Sequence, residues 1–128
     1  MKYYFNKTIK GSYDEVLIKV TEALKTEGFG IVSEIRMNEK FKEKLNIDFR
    51  RYTILGACNP SFAYKAVQEE DKIGIMLPCN VVIQEIQPET YEIAIGDPIA
   101  SMMSIDNEKL GSLASDVQGK LLNVYKML

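Results

Sequence analysis

Apolar residues recur along this chain with two periods, and the points where one period gives way to the other mark its elements. "KYYFNKTIK", residues 2–10, mixes aromatic, β-branched and polar residues at short period. It predicts a strand with Tyr3, Phe5 and Ile9 on one side, ending at Gly11. "SYDE", residues 12–15, has the Ser-x-x-Glu form of a capping box, so a helix starts there. Tyr13, Val16, Leu17, Val20, Ala23 and Leu24 then recur at spacings of three and four, one apolar stripe that Gly28 terminates with a left-handed exit. "FGIVSEI" alternates Phe29, Ile31 and Ile35 as a second strand. "NEKFKEKL" predicts a short helix with Phe41 and Leu45 facing inward.

"RRYTILGAC" is a third strand, with Tyr52, Ile54, Gly56 and Cys58 on one face and Thr53, Leu55 and Ala57 on the other. Asn59 before Pro60 opens a helix, because asparagine caps well and proline suits the first helical position. "GIMLPCNVVIQEI" returns to extended chain, with Cys79, Val81 and Ile83 sharing a face and Pro78 at an edge or bulge. "QPET" turns the chain into "YEIAIG", a hairpin. "DPIASMM" reads as a loop or short transition. The last helix spans about residues 106–127 with Asp106 as its cap. Its stripe is Leu110, Leu113, Val117, Leu121, Val124, Tyr125 and Leu128, while Gly111 and Gly119 weaken it or permit close packing. Two long amphipathic helices around hairpin-capable strands predict an α+β fold, an antiparallel sheet with helices on one face.

Composition narrows the class. At 128 residues, 46% hydrophobic and 27% charged, the chain has the usage of one soluble globular domain. It shows neither a signal-peptide core nor an apolar run of membrane-spanning length, which predicts a cytoplasmic protein with no membrane partner. The net charge of −2 argues against a nucleic-acid partner. The mixed charges of "RMNEKFKEKLNIDFRR" read as a solvated face. The chain has no histidine, which removes Ser-His and Cys-His couples and the usual neutral-pH proton shuttle. There is no Gly-rich phosphate loop, dinucleotide fingerprint or nucleophile elbow.

What remains is a pair of repeated dipeptides, "CN" at Cys58–Asn59 and again at Cys79–Asn80, each beside a proline. Cys58 precedes a helix start, where exposed amides favour anions and lower a thiol pKa; the same amides could hold a ligand's carboxylate or phosphate. Packing is the plainer account of either cysteine alone, since free cysteine is often buried. The pairing instead suggests two strand ends converging on one polar niche. Two thiolates per chain fall short of a four-coordinate zinc site, so no metal is predicted, although two copies could assemble four ligands. Asp97 before Pro98 is ordinary turn chemistry or a carboxylate at the hairpin's end, and Met102 and Met103 read as flexible filler.

The blocks "GFGIVSEI", "FKEKLNIDFRRYTILGACNPSFAYKAV", "IGIMLPCNVVIQE" and "GDP" resemble, in order and over nearly the whole chain, the family called domain of unknown function 302. The resemblance implies a compact β-α-β(4)-α fold of the TATA-binding-protein-like type, with short helices in the connections. It also implies a small cytoplasmic protein, often homodimeric, with no established reaction. The family's shared motif falls on Gly56 to Pro60, on Leu77 to Asn80, and on Asp97 and Pro98. Three functions stay open. The first is a homodimeric domain binding a small anionic or thiol-reactive molecule at a site of Cys58, Asn59, Pro60, Cys79, Asn80 and Asp97. The second is a thiol redox protein or enzyme using Cys58 and Cys79. The third is an interaction module with core cysteines. The residues identify no cofactor.

Overall fold

A computed structural model describes residues 2–128. Its elements run β1 (Tyr4–Lys10), α1 (Tyr13–Thr26), β2 (Gly30–Arg36), α2 (Met37–Leu45), β3 (Tyr52–Cys58) and α3 (Pro60–Glu69), followed by a 3₁₀ turn at Ile73–Met76. The chain continues through β4 (Cys79–Gln87), β5 (Thr90–Gly96), α4 (Pro98–Met102) and α5 (Glu108–Met127). The strands form one five-stranded sheet in the order β1-β5-β4-β3-β2, every neighbouring pair antiparallel. The architecture is the expected α+β fold, with α1 and α5 as the long helices and α2, α3 and α4 in connections.

The signals at the ends of α1 act as the sequence implies. Ser12 Oγ accepts from the Glu15 amide at 3.2 Å, and the Glu15 carboxylate accepts from the Ser12 amide at 3.0 Å. Gly28 leaves the helix at φ +86°, a region open to glycine. Between them, Tyr13, Val16, Val20, Ala23 and Leu24 are buried against the sheet. The sheet meets them with Leu55 and Ala57 of β3, Val81 and Ile83 of β4, and Tyr91, Ile93 and Ile95 of β5. Val117, Leu121 and Val124 of α5 close the same core; each Leu or Val so buried contributes about 1.5–3 kcal/mol. Lys7 shares this face at the sheet edge, and its ammonium reaches the Tyr125 carbonyl at 2.9 Å, a cation at a helix carboxy terminus.

Several local expectations are corrected. Tyr3 lies outside β1 and is exposed, while Phe5 and Ile9 pack on the core. Ile31 and Ile35 do not share a face. Register shifts between Ile31 and Ser33 on β2, so Val32 is an extra residue and Ile35 pairs with Ile54 on the side away from the helices. Leu45 is exposed and α2 buries none of its residues fully, although Phe41 is half-buried with its ring edge-on to Phe49 at 5.3 Å. Residues 73–76 are a 3₁₀ turn rather than extended chain, and β4 begins only at Cys79. "DPIASMM" contains α4, capped by Asp97, whose carboxylate accepts from the Ile99 amide at 2.9 Å. Asn107, not Asp106, caps α5, accepting from the Lys109 amide at 3.0 Å. A methyl group added at Gly111 or Gly119 would meet open space, so neither glycine serves close packing.

A smaller apolar cluster stands apart from the main core. Ala66 of α3, Ile73 of the 3₁₀ turn and Leu110 of α5 form it, with Leu77, Met102 and Leu113 against them. Its seam with the main core positions the candidate site.

Candidate functional site

β3 ends where β4 begins. Because the two are antiparallel neighbours with Ala57 opposite Cys79, Cys58 lies one residue beyond that pair, and the two cysteines come to the same end of the sheet. Both are free thiols and half-buried, and both line one cavity of about 40 Å³. Phe29, Ala57 and Val117 wall it from the main core; Ala66, Leu77 and Leu113 wall it from the second cluster. The cavity is therefore the gap left where two hydrophobic clusters meet without closing. It exceeds the roughly 10–15 Å³ that one water needs but falls below the roughly 300 Å³ of a typical ligand pocket, so it admits a group of a few heavy atoms.

The wall is almost wholly apolar, unlike the polar niche expected. Asn59 is the polar residue that reaches it, and its side chain is engaged: Oδ1 accepts from the Phe62 amide at 3.5 Å, and Nδ2 donates to the Glu27 carbonyl at 3.2 Å. Asn59 thus caps α3 and ties its start to the end of α1. The other predicted residues are placed around the cavity rather than in it. Pro60 is exposed at the first position of α3. Asn80 is exposed on the opposite face of the sheet, since alternation along β4 turns it away from Cys79. Asp97 caps α4 and accepts from Gln118 Nε2 at 3.2 Å; the neighbouring Pro98 is what reaches the wall.

Two details bear on chemistry. Burial pushes the Cys79 thiol up to about 11, and the nearby Cys58 sulfur adds to the shift. Cys79 is therefore a neutral thiol near pH 7, a poor nucleophile. Gly56 lets Pro78 lie flat against β3, because a methyl group there would sit 2.7 Å from Pro78 Cγ and also strike Ser33 Oγ. Pro78 is part of the cavity wall, so the glycine shapes the cavity from behind. The sequence reading did not single out Phe62 and Ala66 as wall residues. Their four-residue spacing on the helix opened by Asn59 and Pro60 was the available signal. Among the described residues there is no group of three or more His, Cys, Asp or Glu that could hold a metal, and no helix long and apolar enough to cross a membrane.

These features define a class: an α+β domain with helices on one face of an antiparallel sheet and a pair of thiols in an apolar pocket at its strand ends. The chain belongs to the family described as Domain of unknown function DUF302, whose model matches residues 5–128. It is similar to the crystal structure of an uncharacterized conserved DUF302 protein from Bacillus stearothermophilus, with 26% sequence identity and a TM-score of 0.89. That likeness covers 99% of this chain and 98% of the other. No curated protein matches the chain.

Proposed function

We propose that this chain is a cytoplasmic binding domain whose thiol-lined pocket takes a small, uncharged and mainly apolar or thiol-reactive molecule. The observation that carries this reading is the single apolar cavity shared by Cys58 and Cys79. An anionic ligand fits it less well. Among the described residues no charged side chain lines the wall, and an anion there would lose hydration against hydrocarbon with little return. Catalysis is the weaker reading, since the chain has no histidine and Cys79 stays protonated near neutral pH.

Xenon is a suitable probe, because dry apolar cavities take it up. Backbone amide resonances of Ala57, Cys58, Ala63 and Val117 should shift saturably under xenon pressure, and Ala63→Leu, which fills the cavity, should abolish the response. Unchanged resonances at those positions would refute the reading.

The proximity of the sulfurs favours one second reading, a thiol–disulfide couple. Mild oxidation with diamide followed by peptide mass spectrometry decides it, since a Cys58–Cys79 crosslink at low oxidant would support redox function. Two copies would pair through the uncovered sheet face, where Ala94, Val82, Ile54 and Ile35 form a cross-strand row with Ile35 exposed. Light scattering should then report a dimer that Val82→Lys converts to a monomer.

A further inference from the structure

The opposite end of β3 carries a second pocket of different character. Cys58 and Thr53 stand at the two ends of that strand, roughly 17 Å apart at about 3.3 Å per residue. The pocket at the Thr53 end measures about 200 Å³, several times the thiol cavity, and its lining is mainly polar. Thr53 is fully buried, and among the described residues it is the one buried polar side chain. It lies in a cross-strand row with Ile83 and Ile93. Its hydroxyl meets that of buried Tyr13 at 2.8 Å. One hydroxyl hydrogen closes that bond, which leaves the other free to donate.

The charged groups above this pair divide into spent and unspent. Arg36 is held by Glu34 at 2.8 Å and by Glu39 at 3.3 Å, so its charge is matched. Arg51 and Asp14, one of each sign, form no ion pair with any described side chain. Arg51 is nevertheless held in place. Its guanidinium lies 4.5 Å above the Tyr13 ring, and its carbonyl accepts from the Glu85 amide at 2.9 Å. Tyr13 is fixed in turn by Thr53 and by the Tyr91 ring at 6.0 Å, and Tyr91 donates to Glu85 at 3.2 Å. Asn38 uses its carbonyl on the Tyr52 amide at 3.2 Å, leaving its amide hydrogens for a ligand.

An oriented guanidinium with no carboxylate partner offers the planar fork that a carboxylate fills with two hydrogen bonds. The unpaired Asp14 carboxylate lining the same recess offers the complement to an ammonium group. We propose that this pocket binds a small zwitterion of the α-amino-acid class, with the ligand carboxylate on Arg51 and the ammonium on Asp14, above the Tyr13–Thr53 hydroxyl pair. A ligand with one charge would satisfy one side and leave the other facing an unmatched group. The inference does not depend on the thiol pocket, whose occupation is read from other residues.

Titration of isotope-labelled protein with glycine, L-alanine and L-serine, followed by amide spectra, tests it. Saturable shifts should localise to Asp14, Asn38 and Thr53. Acetate and methylammonium, each half of the ligand, should bind at least tenfold more weakly. Arg51→Gln and Asp14→Asn, both at exposed positions, should each weaken glycine binding at least tenfold with the melting curve little changed. The proposal is overturned if no amino acid gives saturable shifts, if acetate binds as tightly as glycine, or if both substitutions leave the affinity intact.

Discussion

Cys79 offers the sharpest test of the pocket, because its environment has a kinetic signature. Its thiol is pushed to about 11 from an ordinary 9.0, chiefly by burial among Phe29, Leu77 and Val117 and secondarily by Cys58. At pH 7 a thiol at 9.0 is about 1% thiolate, whereas one at 11 is about 0.01%. Native Cys79 should therefore react with iodoacetamide about 100-fold more slowly than the same residue in urea-unfolded chain. Quenched samples, digested and quantified by mass spectrometry, report Cys79 and Cys58 separately. The pH profile separates ionisation from mere blocked access. With ionisation in control, the native rate climbs tenfold per pH unit to about 11, whereas the unfolded rate levels off near 9. The same shift is linked to stability. A folded pKa above the unfolded one stabilises the native state fully below about pH 9, and this contribution fades as pH rises through about 11. Two pKa units correspond to about 2.7 kcal/mol, which Cys79→Ala should remove from the alkaline limb of the stability curve. A native Cys79 rate that plateaus near pH 9 would refute the buried-wall placement.

Other substitutions test how the site is held. Gly56→Ala should lower stability by about 1–3 kcal/mol, read as a fall in thermal midpoint, because Pro78 and Ser33 already occupy the space; Ser33→Ala in the same chain should restore part of the loss. Gly111→Ala and Gly119→Ala should each raise stability by about 0.5–1 kcal/mol in denaturant titrations, since both are exposed helix-interior glycines with open space around them. Asn59→Ala removes both the α3 cap and the bond to the Glu27 carbonyl, and should cost about 1–2 kcal/mol in urea unfolding. Asn59→Ser keeps a cap acceptor without adding charge and loses the bond to the Glu27 carbonyl, so a loss equal to that of alanine would disprove the capping role.

How much of the fold was legible follows from which signals are local. The capping box of Ser12 and Glu15, the Gly28 exit and the Asn59–Pro60 start each act within one helical turn, and each stands where its residues predict. The strands were readable from alternation except where alternation itself breaks. At Val32 one inserted residue reverses the facing of all that follows on β2, and nothing in "FGIVSEI" distinguishes this bulge from a regular strand. Leu45 failed for another reason: its stripe on α2 was real, but burial requires an opposing surface, and sequence period is silent about that. Asp97–Pro98 carried the same cap-then-proline signal as Asn59–Pro60, and α4 was readable had that signal been weighed equally.

The two cysteines show what a repeated dipeptide can and cannot specify. A Cys-Asn pair inside a strand must send its side chains to opposite faces, so Cys79 and Asn80 could never line one recess together. Asn59 escapes this rule because it stands past the end of β3, at the turn into α3, where backbone direction changes. The repeat therefore marks where adjacent strands exchange ends, and convergence of the sulfurs follows from antiparallel register rather than from any likeness of role between the asparagines. The polar pocket at the other end obeys the opposite logic. Tyr13 comes from α1, Asn38 from α2, Arg51 from just before β3 and Thr53 from its start, so they form no contiguous motif, and the trace left in the sequence is one threonine on a strand face otherwise made of leucine and alanine. A polar residue out of step with its face is a signal of a different kind from a repeated dipeptide, because burial forces it to find a partner and the partner fixes neighbouring groups in turn.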